Sequence, residues 1–299
     1  MLTYLFDYLE KEYQLPGASL FQFSTFRAAM AILFSLIIAT TYGKRIILFL
    51  QRKQVGETIR DLGLEGQVEK AGTPTMGGVV IVLSILVTIF LSRLMSYFGW
   101  IDQSILNRGQ TYLPVITLFA VGVLGVVDDY LNITEKNAQK GLSAKVKMLT
   151  LTLFAVAAAF WFVFKLEYSL IHIPGVGDFE IGLWYFPLFV FVITGMANAV
   201  NFTDGLDGLA GGLLAISYSV FAVIAYFFGL PLLTIFCAIV VAALVAFLWF
   251  NVPPAKIYMG DTGSLALGAT LGVIAMMTNA LAILVIVGVV FVLETVSVI

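Results

Sequence analysis

The chain is poor in the residues that soluble proteins use for charge, disulfide bonding and metal binding. Only 11% of its 299 residues are charged, and it has one cysteine, Cys237, and one histidine, His172. A single cysteine excludes an intrachain disulfide, and these two residues together cannot supply the ligands of a usual zinc site. The scarcity of charge excludes a soluble enzyme, because soluble domains carry about 25% charged residues. We expect His172 to be a solvated loop residue.

The chain has no excess of positive charge either. Its 16 Lys and Arg stand against 18 Asp and Glu, and no basic face remains once the loop cations are assigned, so nucleic acid is excluded as a partner. Apolar sequence is abundant instead, with 61% hydrophobic residues and a mean hydropathy of +1.02. The apolar runs are long and do not alternate with polar residues, which indicates membrane helices rather than barrel strands.

Nine apolar segments are long enough to cross a membrane, each close to the ~20 residues that a helix needs. They lie at residues 24–43, 75–95, 112–131, 146–165, 184–203, 209–228, 232–250, 263–281 and 282–299. The sequence predicts one all-α polytopic membrane domain over residues 1–299, with a short external hairpin near Tyr168–Gly182, between the fourth and fifth spans. Because the last segment reaches Ile299 with no loop after it, we also expect truncation at the C-terminus.

The loop cations predict the orientation of the spans. Most Lys and Arg of the short loops follow the first, third and seventh spans, and fewer lie on the opposite side. Cytoplasmic loops carry the excess of Lys and Arg in membrane proteins, so we expect these three loops to be cytoplasmic and the N-terminus to lie outside.

Five aspartates fall at the predicted cytoplasmic ends of spans that are far apart in the sequence. They are Asp128 and Asp129 at the end of the third span, Asp204 and Asp207 between the fifth and sixth, and Asp261 before the eighth. Ionisable groups at membrane depth are costly and usually functional, so the set predicts an active site on this face. Taken singly, each acid can also be a helix cap or an interface residue, and Asp207 can be the N-cap of the sixth span.

The spacing of the polar residues predicts which of them lie on one helix face and which have different roles. Asn198 and Asn201 are three residues apart, so on a helix they lie on the one face that leads to Asp204. Asp128 and Asp129 are adjacent and point about 100° apart on a helix, so we expect different roles for them. One of the two can face a metal while the other holds a lysine or orients the first.

Two glycine-rich helix starts add groups that suit an anionic ligand. Asp261 lies among two glycines and two hydroxyls at residues 259–264, and free N–H groups at a helix start favour phosphate. Carboxylates combined with phosphate oxygens suit Mg²⁺, a hard cation that keeps several waters. Lys70 and Thr75 precede the glycines of the second span on the same face. Glu294 is a further candidate, because it is ionisable and lies within the ninth span.

Taken together, these residues resemble the polyprenyl-phosphate N-acetylhexosamine-1-phosphate transferase superfamily. Within it the closest similarity is to the phospho-N-acetylmuramoyl-pentapeptide transferase family, and it extends from about Phe26 to Ile299. The superfamily motifs are Asp128–Asp129, Asn198–Leu209 and Met259–Ser264. Residues 73–78 and 294–298 resemble segments specific to the muramoyl branch. One departure from the family is that its His-rich loop after the ninth helix and its tenth helix are absent here.

The resemblance implies a fold, an activity and a location. It implies ten helices with both ends outside, a homodimer in the bacterial cytoplasmic (inner) membrane, and a Mg²⁺-dependent site at the cytoplasmic membrane surface. It implies transfer of phospho-N-acetylmuramoyl-pentapeptide from UDP-MurNAc-pentapeptide to undecaprenyl phosphate among the membrane lipids, giving lipid I and UMP in peptidoglycan synthesis.

The resemblance also implies roles for individual residues. Asp261 corresponds to the Mg²⁺ ligand, and Asp128 and Asp129 correspond to the catalytic pair that acts with it. The positions that correspond to the nucleotide and substrate pocket are Lys70, Thr75, Lys147, Asn198, Asn201, Asp204, Asp207, Asn251, Gly260 and Ser264.

Three other functions are compatible with acids in membrane helices. A sibling transferase would use UDP-GlcNAc, but residues 73–78 and Glu294 favour the muramoyl donor. A cation-coupled transporter usually places its site near the midplane on broken helices, whereas these acids cluster at one face. An intramembrane aspartyl protease needs only two aspartates. For the transferase, the sequence leaves open whether Asp128 activates the acceptor phosphate or an aspartate forms a covalent intermediate.

Overall fold

The computed structural model describes residues 12, 24–52, 73–98, 104, 106, 109–134 and 141–298. Within them the chain forms helices joined by short connections, with one β-hairpin. The helices are α1 Ser24–Arg52, α2 Gly78–Tyr97, α3 Gly109–Thr134, α4 Ala144–Phe164, α5 Tyr185–Thr203, α6 Leu209–Phe227, α7 Pro231–Asn251, α8 Gly260–Met277, α9 Leu281–Val287 and α10 Val289–Val298. The strands are β1 Leu170–Ile173 and β2 Gly177–Glu180.

Eight of the described helices, α1 to α8, are long and apolar enough to cross a membrane. The protein is therefore an all-α, multi-pass membrane protein, as the sequence predicts. The predicted ninth span is present as two shorter helices, because the helix is interrupted at Gly288 between α9 and α10. The Gly288 N–H still donates to the Leu284 carbonyl at 2.7 Å, so the interruption is a local one.

The predicted hairpin between the fourth and fifth spans is confirmed. β1 and β2 are antiparallel, and His172 lies opposite Asp178. His172 is therefore on a strand and not in a loop, although its side chain is well exposed, and its Nδ1 lies 2.7 Å from Asp178 Oδ1. The His172 N–H donates to the Asn279 side-chain oxygen at 3.0 Å, which ties the hairpin to the turn between α8 and α9.

Helix α8 lies at the centre of the bundle. Every residue from Thr262 to Met277 is buried, and α8 packs chiefly against α3 and α5. Glycine, alanine, serine and threonine make up much of this helix, and small residues allow membrane helices to approach closely. Two tyrosines from neighbouring helices donate to its backbone carbonyls: Tyr218 to Leu267 at 2.8 Å and Tyr185 to Met276 at 3.2 Å.

The bundle brings the polar ends of several helices together. Helices α3 and α5 end, and α4 and α8 begin, around the first turn of α8. The large apolar side chains on the outer surfaces of the bundle are exposed, as expected for contact with lipid. The first turn of α8 is thus a polar site at one end of an apolar bundle.

Candidate active site

Three carboxylates meet where the end of α3 contacts the start of α8. Asp128, Asp129 and Asp261 each place one oxygen within 4.8 Å of the other two. Asp128 and Asp129 are both only 3% exposed, and Asp261 is partly buried. Three acidic groups this close in a buried setting need cations to offset their repulsion. Their oxygens are hard donors of the kind that Mg²⁺ prefers, so the donor set fits that ion.

Lys147, from the first turn of α4, lies between two of these acids. Its ammonium donates to Asp128 Oδ2 at 2.9 Å and also to Asp261 Oδ2. The side chains of Lys147 and Asp128 are 22% and 4% exposed, so most of this contact is shielded from water. Removing one partner of a buried ion pair costs about 3–5 kcal/mol, because an uncompensated charge remains. Lys147 therefore offsets one of the negative charges of the acid cluster.

The other oxygen of Asp128 holds the segment that leads into α4. The Leu142 N–H donates to Asp128 Oδ1 at 2.7 Å, and Ser143 caps α4 by accepting the Val146 N–H. Because Lys147 lies one turn after this cap, the same aspartate binds both the start of the helix and the ammonium that the helix carries.

Asn201, near the end of α5, completes the surroundings of Asp261. Its side-chain amide donates to Asp261 Oδ1 at 2.6 Å and to Ser264 Oγ at 2.9 Å. Ser264 in turn donates to the Gly260 carbonyl at 2.9 Å. Both oxygens of Asp261 therefore have donors, one from Lys147 and one from Asn201.

The first N–H groups of α8 are not free to bind phosphate, contrary to the expectation from the sequence. Asp204 accepts the Gly260 N–H at 3.0 Å, and Asp129 accepts the N–H groups of Asp261 and Thr262 at 3.1 and 3.0 Å. Carboxylates near a helix N-terminus are stabilised by the helix dipole. Asp129 of α3 and Asp204, which follows α5, thus accept the N–H groups that the sequence suggests for binding a phosphate.

Gly260 allows the close approach on which this arrangement depends. Its φ is +71°, a conformation that side chains disfavour, and a Cβ there would lie 2.8 Å from both Asp129 Oδ2 and Thr75 Oγ1. The hydroxyl of Thr75 therefore lies beside the acid cluster. The N–H groups of the glycines that follow Thr75 are bound within the protein: Gly77 and Gly78 donate to the carbonyls of residues 258 and 259 at 2.7 Å.

Comparison with known proteins identifies the family. Residues 111–279 match the family model for glycosyl transferase family 4, and residues 70–82 match signature 1 of phospho-N-acetylmuramoyl-pentapeptide-transferase. Proteins with that name are similar over most of the chain. The relative from Flavobacterium johnsoniae is 34% identical over 100% of this chain and 85% of its own length. The relative from Geobacillus sp. (strain WCH70) is 40% identical over 90% of this chain and 81% of its own length.

The chain belongs to the phospho-N-acetylmuramoyl-pentapeptide-transferase family. The resemblance inferred from the sequence motifs is thereby confirmed. In this family member the signature residues 73–78 lie directly against the start of α8, since the Tyr258 N–H donates to the Pro74 carbonyl at 2.9 Å. The segment that distinguishes the muramoyl branch therefore contacts the helix that carries Asp261.

Some of the residues predicted for the pocket form hydrogen bonds with the protein backbone. Asp207 Oδ2 accepts the Ala255 N–H at 3.1 Å. Asn251 is buried; it donates to the Ile257 carbonyl at 2.8 Å, and its side-chain oxygen accepts the Gly208 N–H at 3.0 Å. These contacts hold the connection between α7 and α8. The alternative of Asp207 as an N-cap is wrong, because the N-cap of α6 is Gly208.

Two other predicted residues lie on helices of the bundle, and a third lies outside the described part of the chain. The Asn198 amide donates to the Thr194 carbonyl at 2.7 Å and contacts Met148 Sδ at 3.5 Å. Lys70 lies outside the described residues, so its position stays a prediction. Glu294 lies in α10, which packs against α5.

Thr262 lies inside the Met259–Ser264 motif, but it is not among the residues predicted for the site. It is 0% exposed, and its hydroxyl donates to Asp129 Oδ2 at 2.6 Å. The signal in the sequence is its place in that motif, directly after Asp261, and a hydroxyl beside an acid is too common to identify its partner on α3.

Proposed function

We propose that this protein transfers phospho-N-acetylmuramoyl-pentapeptide from UDP-MurNAc-pentapeptide to undecaprenyl phosphate, releasing UMP and forming lipid I. The observation that carries this proposal is the cluster of Asp128, Asp129, Asp261 and Lys147, which three helix ends bring together beside the muramoyl-branch signature segment. The names of the relatives and the signature at residues 70–82 support the muramoyl donor over UDP-GlcNAc. Family membership favours a transferase over a cation-coupled transporter.

The reaction exchanges one phosphoanhydride for another. An oxygen of the acceptor phosphate forms a bond to the β-phosphorus of the donor, and the bond from that phosphorus to the bridging oxygen breaks. The bridging oxygen leaves with UMP. Phosphoryl transfer depends on positioning and on stabilisation of charge more than on covalent help from the protein, so a cluster of cations and acids suffices.

We propose that Mg²⁺ binds this cluster through Asp261, with Asp128 and Asp129 close by. Bound there, the ion would neutralise charge on the donor pyrophosphate and on the departing UMP. Asp261 suits this role because its two oxygens already face Asn201 and Lys147, which fix the direction of the carboxylate. A carboxylate oxygen has a second lone pair, so these contacts are compatible with an additional cation.

Lys147 and Asp128 are proposed to act on the acceptor phosphate. The Lys147 ammonium contacts both acids and is partly exposed, so it can exchange a carboxylate oxygen for a phosphate oxygen. Asp128 lies in the same contact and is placed either to orient or to deprotonate the attacking phosphate. The alternative, in which an aspartate forms a covalent intermediate, uses the same residues.

The donor pocket is proposed to lie around these charged groups. Thr75, Asn201, Asp204, Gly260 and Ser264 surround the cluster directly. Asp207 and Asn251 are proposed to contribute by holding the connection between α7 and α8. Lys70 and Asn198 are proposed to extend the pocket.

We propose that the acid cluster faces the cytoplasm, in the bacterial inner membrane, with the N-terminus outside. A soluble UDP-sugar cannot cross the membrane, and the loops that follow the first, third and seventh spans in the sequence carry most of the chain's Lys and Arg. In a variant that lacks Cys237, Lys256→Cys should resist an impermeant thiol reagent in intact cells, whereas Gly175→Cys should react. Labelling of position 256 from outside would contradict this orientation.

We also propose that the protein works as a homodimer, which is the assembly that the family resemblance implies. Cross-linking in native membranes should give a species of twice the chain mass. Cross-linking that yields only single chains would contradict this proposal.

The decisive test of the activity compares two donors. Purified protein is incubated with undecaprenyl phosphate, Mg²⁺ and either UDP-MurNAc-pentapeptide or UDP-GlcNAc, and UMP release is measured. Release with the muramoyl donor alone is expected. Release with UDP-GlcNAc alone would identify a sibling transferase, and ion flux without UMP release would favour a transporter.

A further inference from the structure

Asp129 is bound differently from the two acids that it accompanies. Its Oδ2 accepts two hydrogen bonds from Thr262, one from the N–H at 3.0 Å and one from the hydroxyl at 2.6 Å. Its Oδ1 accepts the N–H of Asp261 at 3.1 Å. Among the described residues, Asp128 and Asp261 both contact Lys147, whereas the hydrogen bonds of Asp129 come from Asp261 and Thr262.

These contacts leave Asp129 little capacity for a ligand. A carboxylate oxygen offers about two lone-pair sites, and both sites of Oδ2 are used by Thr262. The three donors belong to two consecutive residues at the start of α8. The carboxylate of Asp129 therefore caps α8 from another helix, and the negative charge suits that position at a helix N-terminus.

We propose that Thr262 and Asp129 form a positioning pair, in which the Thr262 hydroxyl fixes the Asp129 carboxylate and that carboxylate fixes the backbone of Asp261. This proposal rests on the proposed function, since it assigns Asp261 to the metal and to the transferred phosphate. Thr262 touches no substrate in this assignment, and it acts through its neighbours. The pair is what keeps the two oxygens of Asp261 directed at Asn201 and Lys147.

The surroundings of Thr262 explain why a threonine suits this place. The side chain is fully buried, and a β-branched side chain in a helix has few χ1 rotamers. The hydroxyl is therefore held towards Asp129 by packing as well as by the hydrogen bond. Gly125 of α3 lies against the same turn, since a Cβ at Gly125 would be 2.5 Å from Thr262 Cα.

Thr262→Val tests the pair without altering any charge, because valine keeps the shape of threonine and lacks the hydroxyl. We expect kcat to fall by about tenfold or more, from the loss of a hydrogen bond to a charged acceptor. We expect the KM for the UDP-linked donor to change less than about twofold, because the donor pocket keeps its residues. Thr262→Ser, which restores a hydroxyl, should recover most of kcat.

Binding of Mn²⁺ to the purified protein without substrate gives a readout that does not depend on turnover. Titration followed by electron paramagnetic resonance should show weaker Mn²⁺ binding for Thr262→Val and near-wild-type binding for Thr262→Ser. The matched control is Thr117→Val in α3, a buried threonine whose hydroxyl donates to the Leu113 carbonyl of its own helix at 2.8 Å. This control should resemble the wild type in both measurements.

A mutant cycle with Asp129→Asn provides the second test. If the hydroxyl acts through the carboxylate, adding Thr262→Val to Asp129→Asn should cause little further loss of kcat. If Thr262→Val does not give a monodisperse protein, Thr262→Ala replaces it in each measurement. Wild-type kcat and Mn²⁺ binding in the hydroxyl-free variants, or fully additive losses in the cycle, would overturn the proposal. Failure of the muramoyl donor with the wild type would refute the proposed function, while the Mn²⁺ arm would still test the pair.

Discussion

Two helix starts in this protein have similar sequences and different structures. Asp204 to Gly208 lead into α6, and residues 259–263 form the N-cap and first turn of α8. Both segments combine aspartate with two glycines. At α8 the N–H groups are capped by Asp204 and Asp129, and Asp261 projects towards Lys147. At α6 the N-cap is a glycine without a side-chain cap.

The difference lies in what the side chains bind. Around the start of α8, three carboxylates from two places in the sequence lie within reach of one another, and two of them, Asp128 and Asp261, share Lys147. Around the start of α6, Asp207 and Asn251 bind the backbone of residues 255, 257 and 208. A polar motif at a helix end thus indicates a site only when the groups facing it are charged side chains rather than backbone.

The largest expected effect is that of Asp261→Asn. The change keeps the shape of the side chain and removes the charge that holds Lys147 and the proposed metal. Turnover should fall by about 1,000-fold or more. Asp178→Asn, in the exposed hairpin, is the control and should keep wild-type turnover. UMP release measured at saturating Mg²⁺, with size-exclusion profiles to verify folding, decides the outcome. Near-normal turnover would remove Asp261 from the site.

Gly260→Ala should have the next largest effect. A Cβ at this position would lie 2.8 Å from Asp129 Oδ2 and Thr75 Oγ1, and the positive φ adds strain. Displacement of reacting groups by about 1 Å can cost about 100-fold in rate, so we expect a loss of that order in kcat. Gly205→Ala is the matched control near the start of α6, because a Cβ there meets nothing within 4 Å. Equal losses of kcat in the two variants would contradict the proposal that only the start of α8 forms the active site.

Asp128→Asn should reduce the rate and leave donor affinity unchanged. Asp128 binds Lys147 and the Leu142 N–H, and it lies on a different helix from Asn201. We expect kcat to fall by roughly 100-fold while the KM for the donor stays within about twofold. Steady-state kinetics with varied UDP-linked donor measure both constants. A raised KM at an unchanged maximal rate would place Asp128 in the donor pocket instead.

The smallest effect on turnover is expected at Asn251, the last residue of α7, which binds the start of α6. Asn251→Ala removes two buried hydrogen bonds to backbone groups, so the free energy of unfolding should fall by about 1–3 kcal/mol. Turnover should fall by less than about tenfold, because the acid cluster keeps its contacts. Thermal unfolding and kcat are measured on the same preparation. A loss of turnover as large as that of Gly260→Ala, with unchanged stability, would assign Asn251 to substrate.

Much of the fold could be predicted from the sequence, because long apolar runs have few alternatives in a membrane. That Asp128 and Asp261 lie at the same end of the bundle could also be predicted, because the loop cations assign both helix ends to the same face of the membrane. The interruption at Gly288 could not be predicted, since the residues on both sides of it are equally apolar. The run from 282 to 299 therefore indicates a single helix.

The partners of the acids could not be predicted in the same way. Asp128 and Asp129 are adjacent, and only the rotation of α3 decides which of them meets Lys147 and which meets Thr262. The expectation of free N–H groups at the start of α8 was wrong because acids from other helices cap them. Helix rotation and packing depth depend on the whole bundle, and sequence periodicity in a membrane helix carries little of that information.

The burial of α8 also bears on how the protein is made. Of the eight helices that can cross a membrane, α8 is the least apolar and the most completely enclosed by protein. Entry of a segment into lipid depends on its own apolarity, so α8 has the weakest drive to insert by itself. Helices α3 and α5, its main neighbours, precede it in the chain and are synthesised first. We therefore expect the segment that carries Asp261 to insert against helices that are already present, so that packing on protein rather than contact with lipid holds it in place.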